Sequence, residues 1–254
     1  MLLIISPAKT QDFNVRDYPR FTRPVLLAQS RLLIERLREL NAAELMRLMK
    51  ISPALAELNR QRYQDFHLPF ELGKARQALL AFRGDVYGGI EADQYDDEDF
   101  SFAQAHLRIL SGLYGVLKPL DLIQPYRLEM GIRLANPRGA DLYAFWGNMI
   151  SETLNNDLAD QTEPVLVNLA SREYFQAVKP AALQARILTI AFKENKNNRY
   201  QVIGIHAKRA RGLMTNFVIK NRLTAVNDLQ SFTQHGYQYR GSLSTAEEWV
   251  FCRD

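Results

Sequence analysis

Cysteine is almost missing from this chain: Cys252 is the single one among 254 residues. That excludes an internal disulfide and a cysteine-based metal cluster, and it points to a reducing, cytoplasmic address. Histidine is nearly as scarce. His67, His106, His206 and His235 are widely scattered, and no HExxH or similar spacing supports a zinc site. The apolar run after Met1, Leu2 to Ile5, is too short for a signal peptide and has no basic residue ahead of it. Nothing approaches the roughly 18 apolar residues of a membrane span, so no membrane partner is expected. Repeats, low-complexity tracts and linkers are absent as well.

What is present suits one large domain. A hydrophobic content of 47% over this length builds a substantial core. The net charge of +4 is mild, but it is unevenly placed. Between Lys193 and Arg222, eight cations (Lys193, Lys196, Arg199, Lys208, Arg209, Arg211, Lys220, Arg222) face Glu194 alone, a local +7. Between Glu91 and Asp99 there are six acids. Charge separated in this way suggests an anion-binding patch, with an ordinary solvated face as the bland alternative.

Elements alternate along the chain. Leu2 to Ser6, Gln77 to Phe82 and Pro164 to Leu169 read as buried strands, while Arg186 to Phe192 and Tyr200 to Ala207 read as a hairpin joined through Glu194–Arg199. Tyr237–Tyr239 and Trp249–Cys252 form a terminal strand pair. Pro24 to Leu40 is an amphipathic helix, Asn41 with Glu44 makes a capping box, Ser52-Pro53 starts a third helix, and Asp141 and Ser171 cap two more. The pattern predicts an α+β fold: a single mixed domain over 1–254, with a central, partly antiparallel sheet and surrounding helices.

Residues 105–131 concentrate three glycines, two prolines and three spaced cations in an apolar frame. Phe100, Ala103, Leu107 and Leu110 recur at helical spacing, Gly112-Leu113-Tyr114-Gly115 reads as a tight turn, and Val116 to Ile123 as a second helix. This predicts a helix-hairpin-helix-like unit at about 100–124. Gly112 and Gly115 would let a phosphate approach the backbone, and Lys118 would add charge. The alternative is a plain helical connection capped at Gly112.

Other candidates sit at strand ends. Lys9 follows the first strand, Arg83 and Asp85 follow the second beside three glycines, and Asn168 and Glu173 follow the third. The Arg83–Gly89 loop is neither a Walker A loop nor a dinucleotide fingerprint, so no cofactor is implied. Its glycines would admit a ligand backbone at close range. Tyr126, Arg127 and Glu129 form a polar group in which Arg127 and Glu129 could simply pair. Lys208, Arg209 and Arg211 crowd a strand-to-helix junction, where cations oppose the dipole unless an external anion offsets them.

Several segments resemble the YaaA family of bacterial peroxide-stress-resistance proteins: I-S-P-A-K-T (5–10), F-R-G-D-V-Y (82–87), L-S-G-L-Y-G-V-L-K-P-L-D (110–121), P-Y-R-L-E-M-G (125–131), F-W-G (145–147), N-L-A-S-x-E-Y-F (168–175) and K-x-A-R-G-x-M (208–214). They span nearly the whole chain. The resemblance implies a cytosolic protein that limits peroxide damage, lowers unincorporated intracellular iron and binds DNA with a helix-hairpin-helix unit, which maps by likeness onto 110–121.

Two readings of function follow. The first is a sequence-tolerant protein that protects or helps repair double-stranded DNA, nicked or bulged forms included, with Gly112, Gly115, Lys118, Lys9, Arg83, Arg127, Lys208, Arg209 and Arg211 meeting phosphates. The second is an enzyme on nucleic acid or a nucleotide, with Asp85, Tyr126, Glu129, Asn168 and Glu173 supplying acid-base groups. Direct iron handling by Asp96–Asp99 is a third, weaker class, since a solvated helix start explains those acids. No protein partner is evident from the sequence.

Overall fold

The computed structural model describes residues 1–14, 18–197 and 199–254. Its spine is an eight-stranded sheet. In chain order the strands are β1 (Leu2–Ile5), β2 (Leu107–Ser111), β3 (Gly115–Leu117), β4 (Val165–Asn168), β5 (Arg186–Lys196), β6 (Arg199–Gln201), β7 (Gln238–Tyr239) and β8 (Glu248–Arg253). They lie side by side as β7-β8-β5-β4-β1-β2-β3, with β6 also paired to β5. The five inner strands are parallel, and the pairs β2–β3, β5–β6 and β7–β8 are antiparallel. The fold is the mixed, partly antiparallel one that the alternating elements predict.

β1 and β4 are aliphatic at nearly every position and buried throughout, as parallel strands covered on both faces must be. β5 instead alternates buried and half-exposed residues along much of its length. The principal helices are α1 (Leu27–Arg38), α2 (Ala42–Met49), α3 (Pro53–Asp65), α4 (Asp85–Ile90), α5 (Asp97–His106), α6 (Met149–Leu158) and α7 (Gly204–Lys220). The capping box at Asn41 and Glu44 forms, Ser52 caps α3, and Asp141 accepts from the Ala144 N–H at 2.8 Å.

The predicted helix-hairpin-helix at 100–124 is not what this segment forms. α5 stops at His106, and Leu107–Ser111 and Gly115–Leu117 are antiparallel strands inside the sheet. All residues of both strands are buried, so apolar spacing that fits a helix up to Leu110 is equally the filling of a central strand. The glycines serve packing. A Cβ at Gly112 would overlap the Leu128 carbonyl, and Gly115 takes φ +70 with a Cβ position 2.9 Å from both Leu26 Cδ1 and the Trp146 ring. A tight helix-turn-helix does occur elsewhere, where α2 and α3 are joined through Lys50–Ser52 with Lys50 in the left-handed region at φ 52.

Two predicted strands also change. Gln77–Phe82 is a helical turn, Ala78–Ala81, between two short strands, Arg76–Gln77 and Phe82–Arg83. Its strong burial arises from all-round packing rather than from a sheet. Tyr200–Ala207 gives only β6 before α7 begins at Gly204. A hairpin forms, but its ladder lies within the segment expected to connect the strands, with Arg199 opposite Lys196 and Gln201 opposite Glu194; Asn198 in its turn lies outside the described residues.

β1 has neighbours on both sides. The chain returns beside one flank as β2 and, later, beside the other as β4. A crevice beyond the carboxyl ends of such strands is the usual ligand position in parallel sheets.

Candidate functional site

Pro7 turns the chain out of the sheet just past β1. The Ser6 hydroxyl donates to Ser171 Oγ at 3.2 Å and accepts from the Ser171 N–H at 2.8 Å, which ties the ends of β1 and β4 together. Ser171 thus occupies a helix N-cap position without capping through its side chain. Beyond it, Thr10–Gln11 pairs antiparallel with Phe82–Arg83, Thr10 opposite Arg83. That small ladder brings Lys9 and Arg83 to one rim.

α4 follows Arg83, and α7 crosses it at a glycine contact. A Cβ on Gly89 would lie 2.6 Å from the Arg209 carbonyl oxygen, and one on Gly212 would overlap the Val86 carbonyl. Gly89 therefore admits the backbone of α7, not the ligand backbone that the glycine-rich composition suggests. The close crossing carries Lys208 and Arg211 to the crevice. Both lie past the first turn of α7, so the helix dipole does not explain their clustering.

The resulting cleft has a volume of about 390 Å³. Lys9, Arg83, Lys208 and Arg211 line it together with Asp85, Glu129 and Glu173, and the walls include Tyr87 and Tyr174. A smaller recess adjoins it at Lys9 and Glu129, lined by Tyr126 and Arg127. Lys9 and Arg211, 202 residues apart in the chain, line the same cleft.

Charge in the cleft is only partly compensated. Glu129, 9% exposed, receives Lys9 at 3.3 Å and Arg127 at 2.8 Å, both on Oε1. Among the described residues its buried Oε2 has no partner, and neither does the buried Nε of Arg127. Arg83 faces Asp93 at 3.4 Å and Asp12 at 4.0 Å on the outer side. Among the described residues the buried Nε of Arg211 has no partner, and burial lowers the affinity of its guanidinium for its proton. Among the described residues, Lys208, Arg209 and Arg211 have no acidic partner within ion-pair distance. Glu173 accepts from the Gly131 N–H at 3.0 Å, holding the 125–131 segment against the cleft.

The remaining sequence candidates lie elsewhere or do other work. Arg209 is exposed beside the cleft rather than in it. Tyr126 is buried, with its hydroxyl 2.7 Å from Ser111 Oγ, and burial raises its phenol well above the ordinary value, which removes it as a ready base. Asn168 closes the end of β4, accepting from Ala170 N–H at 3.0 Å and donating to Thr189 at 3.3 Å. Gly112 and Gly115 are buried. Lys118 is 3.5 Å from Asp157, which also holds the buried Arg108 at 2.6 Å in a different pocket. Lys220 and Arg222 are both paired with Asp99, at 2.5 and 2.8 Å. The +7 stretch is therefore divided, and part of the acidic run is spent on it.

The profile of a family described as "Peroxide stress protein YaaA" matches residues 1–243. The chain belongs to the YaaA family. A UPF0246 protein of Acaryochloris marina is 60% identical over 254 residues, covering all of both chains. For a YaaA-family protein the state of Cys252 matters: it is 1% exposed, and burial pushes its thiol above the ordinary value. A thiol of that kind is inert rather than peroxide-reactive.

Sequence reasoning does not select Ser6, Tyr87 or Tyr174. The Tyr87 hydroxyl donates to the Ser6 carbonyl at 3.0 Å. The only local signal for these residues is proximity to a strand end.

Proposed function

We propose that this protein acts in the peroxide stress response as a sequence-tolerant DNA-binding protein that protects or helps repair damaged duplexes. One observation carries the reading: Lys9, Arg83, Lys208 and Arg211 converge on one cleft with Arg209 beside it, and Lys208, Arg209 and Arg211 lack acidic partners among the described residues. Cations left uncompensated at a concave surface suit phosphates, and contacts of that kind are blind to base sequence. Lowering of unincorporated iron would then be indirect, and the address cytoplasmic. No helix is long and apolar enough to cross a membrane among the described residues.

The test is fluorescence anisotropy with intact, nicked and bulged duplexes across a salt series. Tight binding at low salt with a steep linear fall of log K against log salt supports the reading. Salt-insensitive binding, or none, sinks it.

A second reading has its own observation. Glu129 lines the cleft with one carboxylate oxygen on Lys9 and the other, among the described residues, without a partner, an arrangement that suits an acid-base group. Cleavage or base loss in the same DNA, examined after incubation, would establish it.

A further inference from the structure

We infer that the cleft receives a single nucleotide unit, extruded from the strand, while the flanking duplex rests on the rim. This rests on the DNA-binding reading and adds what the cleft itself takes.

Size comes first. At about 390 Å³ the cleft matches a small-molecule site, at the lower end of the ~300–1,000 Å³ typical of them. Even a single duplex-binding module buries about 600–1,000 Å² of protein surface, more than such a cavity offers. A double helix does not fit inside, whereas one nucleotide does.

The lining charges differ in burial: Lys9, Lys208, Asp85 and Glu173 are exposed, whereas Glu129 is buried. Lys208 is exposed at the mouth, and Arg83 and Arg211 are half-buried along the wall, so the phosphate belongs on that side. Glu129 is buried and held by Lys9 and Arg127 through one oxygen, and its other, buried oxygen has no partner among the described residues. A buried acceptor left in this state is costly unless a donor arrives. Base N–H groups are such donors, and carboxylates accept from them. Tyr174, 8% exposed, contributes an aromatic wall. Cations for a phosphate, a buried carboxylate acceptor and an aromatic side describe a nucleotide better than a bare anion.

Extrusion is cheapest where a base is already unpaired or damaged. The cleft would therefore favour bulged over intact duplex without reading sequence.

The experiment uses the full chain at saturating concentration and duplexes carrying 2-aminopurine, either in a bulge or fully paired, with anisotropy followed on the same samples. A several-fold rise in 2-aminopurine emission at the bulge, lost in Glu129→Gln and in Arg211→Gln at saturation, supports the inference. Arg211 leaves no acidic partner orphaned among the described residues, so its variant separates loss of the site from loss of the fold. Full binding by anisotropy with unchanged emission overturns the inference and leaves the DNA reading standing. A parallel titration with deoxynucleoside monophosphate separates the sources. If the monophosphate binds and no duplex does, the cleft takes a free nucleotide and both the extrusion and the DNA reading fall. If neither binds, the nucleotide site is refuted outright.

Discussion

Gly89 and Gly212 hold α4 and α7 at backbone contact: a Cβ on Gly89 would stand 2.6 Å from the Arg209 carbonyl oxygen, and one on Gly212 would overlap Val86. This crossing, rather than any local feature of the basic stretch, sets where Lys208 and Arg211 point. Gly212→Ala should therefore cost at least about 2 kcal/mol, because the obstacle is backbone and cannot swing away. Urea unfolding checks the stability. DNA affinity should fall with it, since the crossing places the cations.

Cations in the cleft and cations outside it should separate cleanly. Lys208→Ala with Arg211→Ala is expected to weaken DNA binding and to make the salt dependence shallower, by about one unit of slope for each phosphate that is no longer neutralised. Lys118→Ala should leave both unchanged, because Lys118 faces Asp157 in another pocket. If Lys118→Ala weakens binding as much as the double variant, the cleft is the wrong surface. The measurement is anisotropy from low to physiological salt.

Asp99 links the acidic and basic stretches, and its titration has a definite sign. Burial alone would raise its pKa, but hydrogen bonds from Lys220 and Arg222 outweigh that and hold it below the ordinary carboxylate value. A group depressed in the folded state contributes stability above its unfolded value, and that contribution is lost as pH falls through the folded one. Asp99→Asn should cost about 2 kcal/mol at neutral pH, a figure reduced for the partial exposure of its partners. The difference from wild type should shrink below a pH of about 4, which urea titrations at pH 7 and pH 3 would show.

Trp146 donates its indole N–H to the Gly112 carbonyl at 3.0 Å in a fully buried setting. Trp146→Phe leaves that carbonyl without a partner and should lower stability by about 1–3 kcal/mol. Since Gly112 belongs to the packed strand connection, DNA affinity at a temperature well below unfolding should be retained.

Cys252 should resist a thiol reagent in the native protein and react fully once urea unfolds it, because burial both shields the thiol and raises its pKa. Fast native labelling would reopen direct thiol chemistry with peroxide.

Much of the framework is legible from local residues. The aliphatic runs of β1 and β4, the capping box at Asn41 and Glu44, the cap at Asp141 and the hairpin before α7 each follow from short-range chemistry, as does the family likeness in motifs spread along the chain. Residues 107–117 are misleading because a stretch buried on every side loses the polar face by which helix and strand periods differ. The cations Lys9, Arg83, Lys208 and Arg211 can be named from sequence, but not their convergence. That depends on strand order around β1, on the ladder of Thr10 with Arg83, and on the glycine crossing of α4 with α7. The same tertiary arrangement withdraws Lys118, Lys220 and Arg222 by pairing them with Asp157 and Asp99. Residue identity set the inventory of charge, and only long-range packing, which places groups distant in sequence within a few ångströms, decided which charges remain free to meet a ligand.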